Sequence, residues 1–149
     1  MLCHSATVNR GIKGEDVANV LMKMENGITC YAEMSYASIL EYESFPQTFI
    51  LVEGEYGSIH LTKDYEVHIT TRTGTTTIQA NPKLYHWVDP KYALVHSSIV
   101  DCNRNILAGL TGEAPAETTG KDNFETVRLV HACYTSAKKN ELVDMRNFQ

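Results

Sequence analysis

An α+β fold, with a mainly antiparallel sheet followed by two helices, is predicted by three observations. The first two-thirds of the chain alternates apolar and polar residues as strands do. The last third switches to the three-and-four spacing of amphipathic helices. No regular strand–helix–strand alternation, the mark of a doubly wound parallel sheet, occurs between them. At 149 residues the chain suffices for one domain with a sizeable core and is short for two ordinary ones. Residues 1–149 are therefore expected to form a single domain.

The clearest strands lie in "DVANVLMKMENGITCYAEMSYAS", where Asn26-Gly27 between two apolar-rich runs predicts a hairpin with a two-residue type I′ turn. That register sets Lys23 opposite Cys30 and Leu21 opposite Ala32 on one face, with Met22/Tyr31 and Val20/Glu33 on the other. Neither face is cleanly polar, so the sheet is expected to be covered on both sides, by helices on one and a partner subunit on the other. "QTFILVEG" reads as a further strand, and Gly54 and Gly57 bracket a turn before "SIHL". "YEVHITTRTGTTTIQ" reads as a hairpin about Thr73-Gly74, its threonines suited to a pleated surface. Asn81-Pro82 ends the sheet-like region.

Val95, Ile99, Cys102, Ile106 and Leu110 then recur at helical spacing, and Gly109 and Gly112 end that helix. Thr119 is the expected N-cap of a second helix with Asn140 as its left-handed C-cap. Its apolar stripe is Phe124, Val127, Val130, Tyr134 and Ala137. "ELVDM" reads as a short closing strand.

Composition narrows the function. A net charge of −5 with scattered Lys and Arg argues against a nucleic-acid footprint. No apolar run reaches membrane-spanning length, the N-terminus lacks a signal-peptide pattern and no glycosylation sequon occurs. Cys3, Cys30, Cys102 and Cys133 show no C-x-x-C spacing and read as reduced thiols, so a cytoplasmic location is expected.

The familiar catalytic signatures are missing: no G-x-G-x-x-G, Walker loop, G-x-S-x-G or H-E-x-x-H is present. The six histidines are dispersed without ligand-pair spacing, so no metal site is expected. Asp64 and His68 have a D-x-x-x-H spacing, but within strand-like text that does not set them on one helix face. Two segments remain. "ASILEYESFPQT" is a loop on a sheet scaffold, carrying Glu41, Tyr42 and Glu43, and reads either as a ligand-facing loop or as packing against a neighbour. "NPKLYHWVDPKY" collects Tyr85, Trp87 and their neighbours just before His96, and suits a ligand wall, an interface or a core lid. Glu41, Tyr42, Glu43, Tyr85, Trp87 and His96 are the candidate substrate-facing residues; no catalytic, cofactor-binding or metal residue is predicted.

The order of the pieces resembles the C-terminal domain of the Gfo/Idh/MocA oxidoreductases, the family of glucose–fructose oxidoreductase and inositol dehydrogenase. Asp16-Val17-Ala18 with Glu25-Asn26-Gly27 is similar to the family's hairpin, and Gly54-x-x-Gly57-Ser58 to its glycine turn. Glu117-Thr118-Thr119-Gly120-x-Asp122, running on to Ala132-x-Tyr134-x-Ser136-Ala137, resembles its closing helix. The resemblance implies an open mixed, mainly antiparallel sheet with two C-terminal helices packed on one face, as in dihydrodipicolinate reductase-like C-terminal domains. It implies homo-oligomerisation through the outer sheet face and an N-terminal Rossmann domain holding NAD or NADP. The family's nucleotide loop, Glu-Lys-Pro lysine and Asp-x-x-x-His helix all precede the matched region and cannot be placed on this sequence. The expectation is therefore the substrate-side and oligomerisation part of a dehydrogenase for a sugar, polyol or related small hydroxyl compound. The chain alone, separated from its Rossmann domain, would bind no nicotinamide cofactor and would be inactive. The alternative is a stand-alone, self-associating module that binds a small ligand or a protein.

Overall fold

The computed structural model describes residues 1–40 and 47–148. These fall into two compact units, one built from residues 1–40 and 118–148 and the other from residues 47–117.

The first unit is a three-stranded antiparallel sheet, β1 (Leu2–Ala6), β2 (Val17–Lys23) and β3 (Thr29–Ser35), in the order β1-β2-β3. The predicted hairpin forms, but with a different loop. Met24 N–H donates to the Ile28 carbonyl at 2.8 Å, so the loop has three residues, Glu25-Asn26-Gly27. Gly27 takes a left-handed φ of +87°, and Asn26 Oδ1 accepts from Ile28 N–H at 3.2 Å. A three-residue turn ending in a left-handed glycine is the next hairpin class after the two-residue one.

The extra loop residue moves the register by one, pairing Met22 with Cys30 and Val20 with Ala32. β1 continues the same row, with Cys3 opposite Val20. One face therefore carries Cys3, Val20, Met22, Cys30 and Ala32 and is apolar. The other mixes Leu2, Leu21 and Tyr31 with His4, Asn19, Lys23 and Glu33, and the Tyr31 hydroxyl donates to Asn19 Oδ1 at 2.5 Å. Neither face is cleanly polar, as the sequence suggested, but the residues that share each face differ from those of the two-residue register.

Helix α2 (Gly120–Lys139) packs on β1. Its ends match the sequence: Thr119 Oγ1 accepts from Asp122 N–H at 3.2 Å, and Asn140 closes the helix at φ +54°. Its buried face is made of small residues. Ala132 and Ser136 are 0% exposed, whereas the predicted stripe of Phe124, Val127, Val130 and Tyr134 is 44–62% exposed. Small residues let the helix approach the strand closely enough for Ser136 Oγ to accept from Cys3 N–H at 2.9 Å and donate to the Glu141 carbonyl at 2.7 Å. The "ELVDM" segment is not a strand, yet Val143 pairs with Met1 through both backbone bonds, at 2.7 and 2.9 Å.

Asp16 anchors the link from β1 to β2. It is 1% exposed, and its two carboxylate oxygens each accept a backbone N–H, from Val8 and Asn9, at 2.7 Å. Those bonds hold its pKa below the ordinary aspartate value.

The second unit holds a four-stranded antiparallel sheet, β4 (Ile50–Gly54), β5 (Gly57–Leu61), β6 (Glu66–Thr71) and β7 (Gly74–Gln79), in sequence order. Two-residue connections join β4 to β5 and β6 to β7, with Gly54 opposite Gly57 and Thr71 opposite Gly74. The Gly54–Gly57 bend is a sheet corner: at Gly57 any Cβ would lie 2.1 Å from the Thr70 carbonyl oxygen. Alternation is clear here except at Leu51, which lies opposite His60. Ile50, Val52, Ile59, Val67, Ile69 and Ile78 share one face, while Glu53, Ser58, His60, His68, Thr75 and Thr77 lie on or about the other. Ile50, Val52, Ile59 and Ile78 stay 47–55% exposed, so the apolar face of this sheet is open in the isolated chain.

The α+β class is as expected. The single mixed sheet expected from the resemblance is instead two sheets whose pairings are all antiparallel among the described residues, because tight turns join most neighbouring strands and such turns permit no parallel pairing. Helix α1 (Ala93–Thr111) ends at left-handed Gly112, as predicted. No helix among the described residues is long and apolar enough to cross a membrane.

Candidate functional site

The second unit contains a groove lined by two of the side chains named from the sequence, Trp87 and His96. Residues 80–92 run to a 3-10 turn at Pro90–Tyr92, capped by Asp89 Oδ1, which accepts from Lys91 N–H at 2.9 Å. Helix α1 follows directly and fastens this segment along one row of its surface. Ser97, 1% exposed, accepts the Tyr85 N–H at 3.0 Å. One turn on, Asp101 Oδ1 accepts the Tyr85 hydroxyl at 3.1 Å, and Arg104 donates to the same hydroxyl at 3.0 Å and to Asp101 at 2.5 Å. Positions 97, 101 and 104 lie on one helix face, so all three converge on Tyr85. Tyr85 first, and then Asp101, hold the Arg104 guanidinium pKa above its ordinary value.

Tyr85 in turn backs Trp87, the ring centroids being 5.6 Å apart at a 44° tilt. Lys83 Nζ lies 4.8 Å from the Tyr85 ring centroid. Trp87, 63% exposed, forms one wall of a groove of about 460 Å³. Buried Val88 and the helix residues Ile99 and Val100 add apolar surface, and Asp89, His96 and Asn103 add polar groups. The Tyr92 ring stacks 5.4 Å from the His96 imidazole. A broad aromatic plane beside a few polar groups suits a small polyhydroxylated ligand, whose C–H face stacks while its hydroxyls form hydrogen bonds.

Of the sequence-derived candidates, Trp87 and His96 line this groove together and Tyr85 supports it from behind. Glu41, Tyr42 and Glu43 lie outside the described residues. Asp64 sits in the turn Lys63–Tyr65 and His68 on β6, where its Nδ1 pairs with Thr77 Oγ1 at 2.9 Å, so they share no helix face. Asp101, Asn103 and Arg104 escaped the sequence reading. The i, i+3 Asp–Arg spacing on a predicted helix was visible, but its target, Tyr85, is set by tertiary packing.

Among the described residues no group of three or more His, Cys, Asp and Glu is placed to hold a metal. Among the described residues the strand pairings are all antiparallel, so they form no parallel β-turn-α unit that would aim a glycine-rich turn at a pyrophosphate.

The chain matches the family model for the oxidoreductase family, C-terminal alpha/beta domain, over residues 1–145. It is similar to the D-apiose dehydrogenase of Paraburkholderia graminis, 36% identical over 97% of this chain and 39% of that protein. It is also similar to the D-apiose dehydrogenase of Rhizobium rhizogenes, 36% identical over 93% of this chain and 40% of that protein. Among solved structures, an oxidoreductase from Agrobacterium radiobacter in complex with NAD+, L-tartaric acid and magnesium superposes with a TM-score of 0.92 at 33% identity, covering 99% of this chain and 43% of that one. The chain thus spans about two-fifths of the length of the curated relatives it matches.

Proposed function

Because the chain belongs to the Gfo/Idh/MocA oxidoreductases as their C-terminal α/β domain, we propose that it forms the substrate-side and oligomerisation part of an NAD(P)-dependent dehydrogenase acting on a sugar or related polyol. The observation that carries this reading is the 36% identity to D-apiose dehydrogenases across 97% of the chain. The groove supports it with the chemistry a sugar requires: Trp87 as a stacking plane, Asp89, His96 and Asn103 as hydrogen-bonding partners, and the Tyr85–Asp101–Arg104 cluster as the brace that fixes Trp87. The cofactor, NAD or NADP, is held by polypeptide outside residues 1–149. Self-association is assigned to the open face of β4–β7, where the half-exposed Ile50, Val52, Ile59 and Ile78 support a contact with a second copy. The cysteines, all free, support a reducing cytoplasmic setting.

The single tryptophan makes the groove directly observable. Titrating the chain with D-apiose should shift Trp87 fluorescence saturably, and Asn103→Ala should weaken the response. A flat trace into high millimolar sugar, beyond the weakest useful affinities, refutes the groove as the sugar site.

A further inference from the structure

We propose that the solvent-facing stripe of α2 is the docking surface for a helix of the polypeptide that precedes this domain in the longer enzymes, an inference that rests on the reading above. Phe124, Val127, His131, Tyr134 and Lys138 repeat at three and four along the helix, the seam that receives another helix. With Phe148 from the C-terminal segment they line a groove of about 490 Å³. Phe124, Val127 and Tyr134 remain 62%, 44% and 53% exposed although they are among the helix's large apolar residues. The face of α2 that β1 does cover is built from Ala132 and Ser136 instead.

Two observations choose the occupant. The relatives carry roughly three-fifths of their length outside the matched region, and the matched part is the C-terminal domain. The direction in which that polypeptide arrives is also fixed. Met1 is tied to Val143 by both backbone bonds, and two residues further on the Met145 carbonyl accepts from Arg128 Nη2 at 2.5 Å. Arg128 neighbours Val127 and lines the same groove. A chain joined ahead of Met1 therefore enters beside the groove, and the seam lies within its first reach. Lys138 at the rim favours an occupying helix with acidic flanks.

The test joins the N-terminal portion of the Paraburkholderia graminis D-apiose dehydrogenase to Met1 and compares that fusion with the present chain. Hydrogen exchange along residues 124–138 should slow several-fold in the fusion. Val127→Asp should leave the Tm of the present chain unchanged and lower that of the fusion, while Ile59→Asp, on the sheet, should not distinguish the two. Unchanged exchange along α2, or equal effects of Val127→Asp in both proteins, overturns the proposal. So does a dimer of the present chain that Val127→Asp dissociates, since a second copy would then own the seam. NAD+-dependent oxidation of D-apiose by the fusion reads the functional assignment separately: a fusion that protects α2 but oxidises no sugar preserves the docking surface and defeats the assignment.

Discussion

Replacing Ser136 by alanine removes one oxygen, and its cost can be worked from two bonds. Ser136 is 0% exposed; its Oγ accepts from the buried Cys3 N–H at 2.9 Å and donates to the part-buried Glu141 carbonyl at 2.7 Å. In Ser136→Ala the Cys3 N–H keeps its burial and loses its acceptor, which costs about 1–3 kcal/mol, and the Glu141 bond adds about 0.5–1.5 kcal/mol. The expected loss is about 1.5–4.5 kcal/mol, or roughly 3–18 °C in Tm for a chain of this size. Urea unfolding followed by far-UV circular dichroism measures the first, and native-state hydrogen exchange at the Cys3 amide locates it. Thr135→Ala is the control, because its hydroxyl donates only to the His131 carbonyl of its own helix at 2.9 Å, and it should cost under about 0.5 kcal/mol. A Ser136→Ala protein within about 0.5 kcal/mol of wild type, with the Cys3 amide still protected, refutes the view that this hydroxyl fastens α2 to β1.

Three further outcomes are expected. Gly57→Ala forces a Cβ to 2.1 Å from the Thr70 carbonyl oxygen, so the β5–β6 pairing must shift, and exchange at β5 and β6 amides should rise sharply while β1–β3 amides are unaffected. Acid should destabilise the first unit in a defined window: the Val8 and Asn9 N–H groups lower the Asp16 pKa from 3.8, and Arg146 holds that of Asp144 at about 2. Pairing of these carboxylates stabilises the fold above about pH 4 and is lost as pH falls toward about 2, and Asp16→Asn should flatten that slope in an acid titration followed by circular dichroism. Cysteine alkylation at neutral pH should label exposed Cys102 first and spare Cys133, whose thiol is pushed up to about 11 by burial and by neighbouring Cys3; mass spectrometry of partially labelled protein gives the order.

What the sequence made legible was local. Thr119, Gly112 and Asn140 were identified as caps because capping depends on one residue's conformation and its nearest neighbours. The Asn26-Gly27 turn was identified too, but two- and three-residue loops draw on the same residues, and choosing between them decided how the sheet faces sort. The helix stripes misled for a different reason. Apolar periodicity marks a face that will be covered without saying by what, and here the large side chains of α2 are left outward while Ala132 and Ser136 meet β1. β1 itself, in "MLCHSATVNR", gave no strand signal strong enough to single out. At the groove, Trp87 and His96 stood out as aromatic-rich text, whereas Asp101 and Arg104 acquired meaning only once Tyr85 lay across the helix.

The paired backbone bonds of Met1 and Val143 hold these two points of the chain side by side. Chain points held this close can be rejoined across the gap, with the chain cut elsewhere, without stretching a connector. That closure makes permuted versions, opened at the exposed Glu55-Tyr56 bend, practical to build.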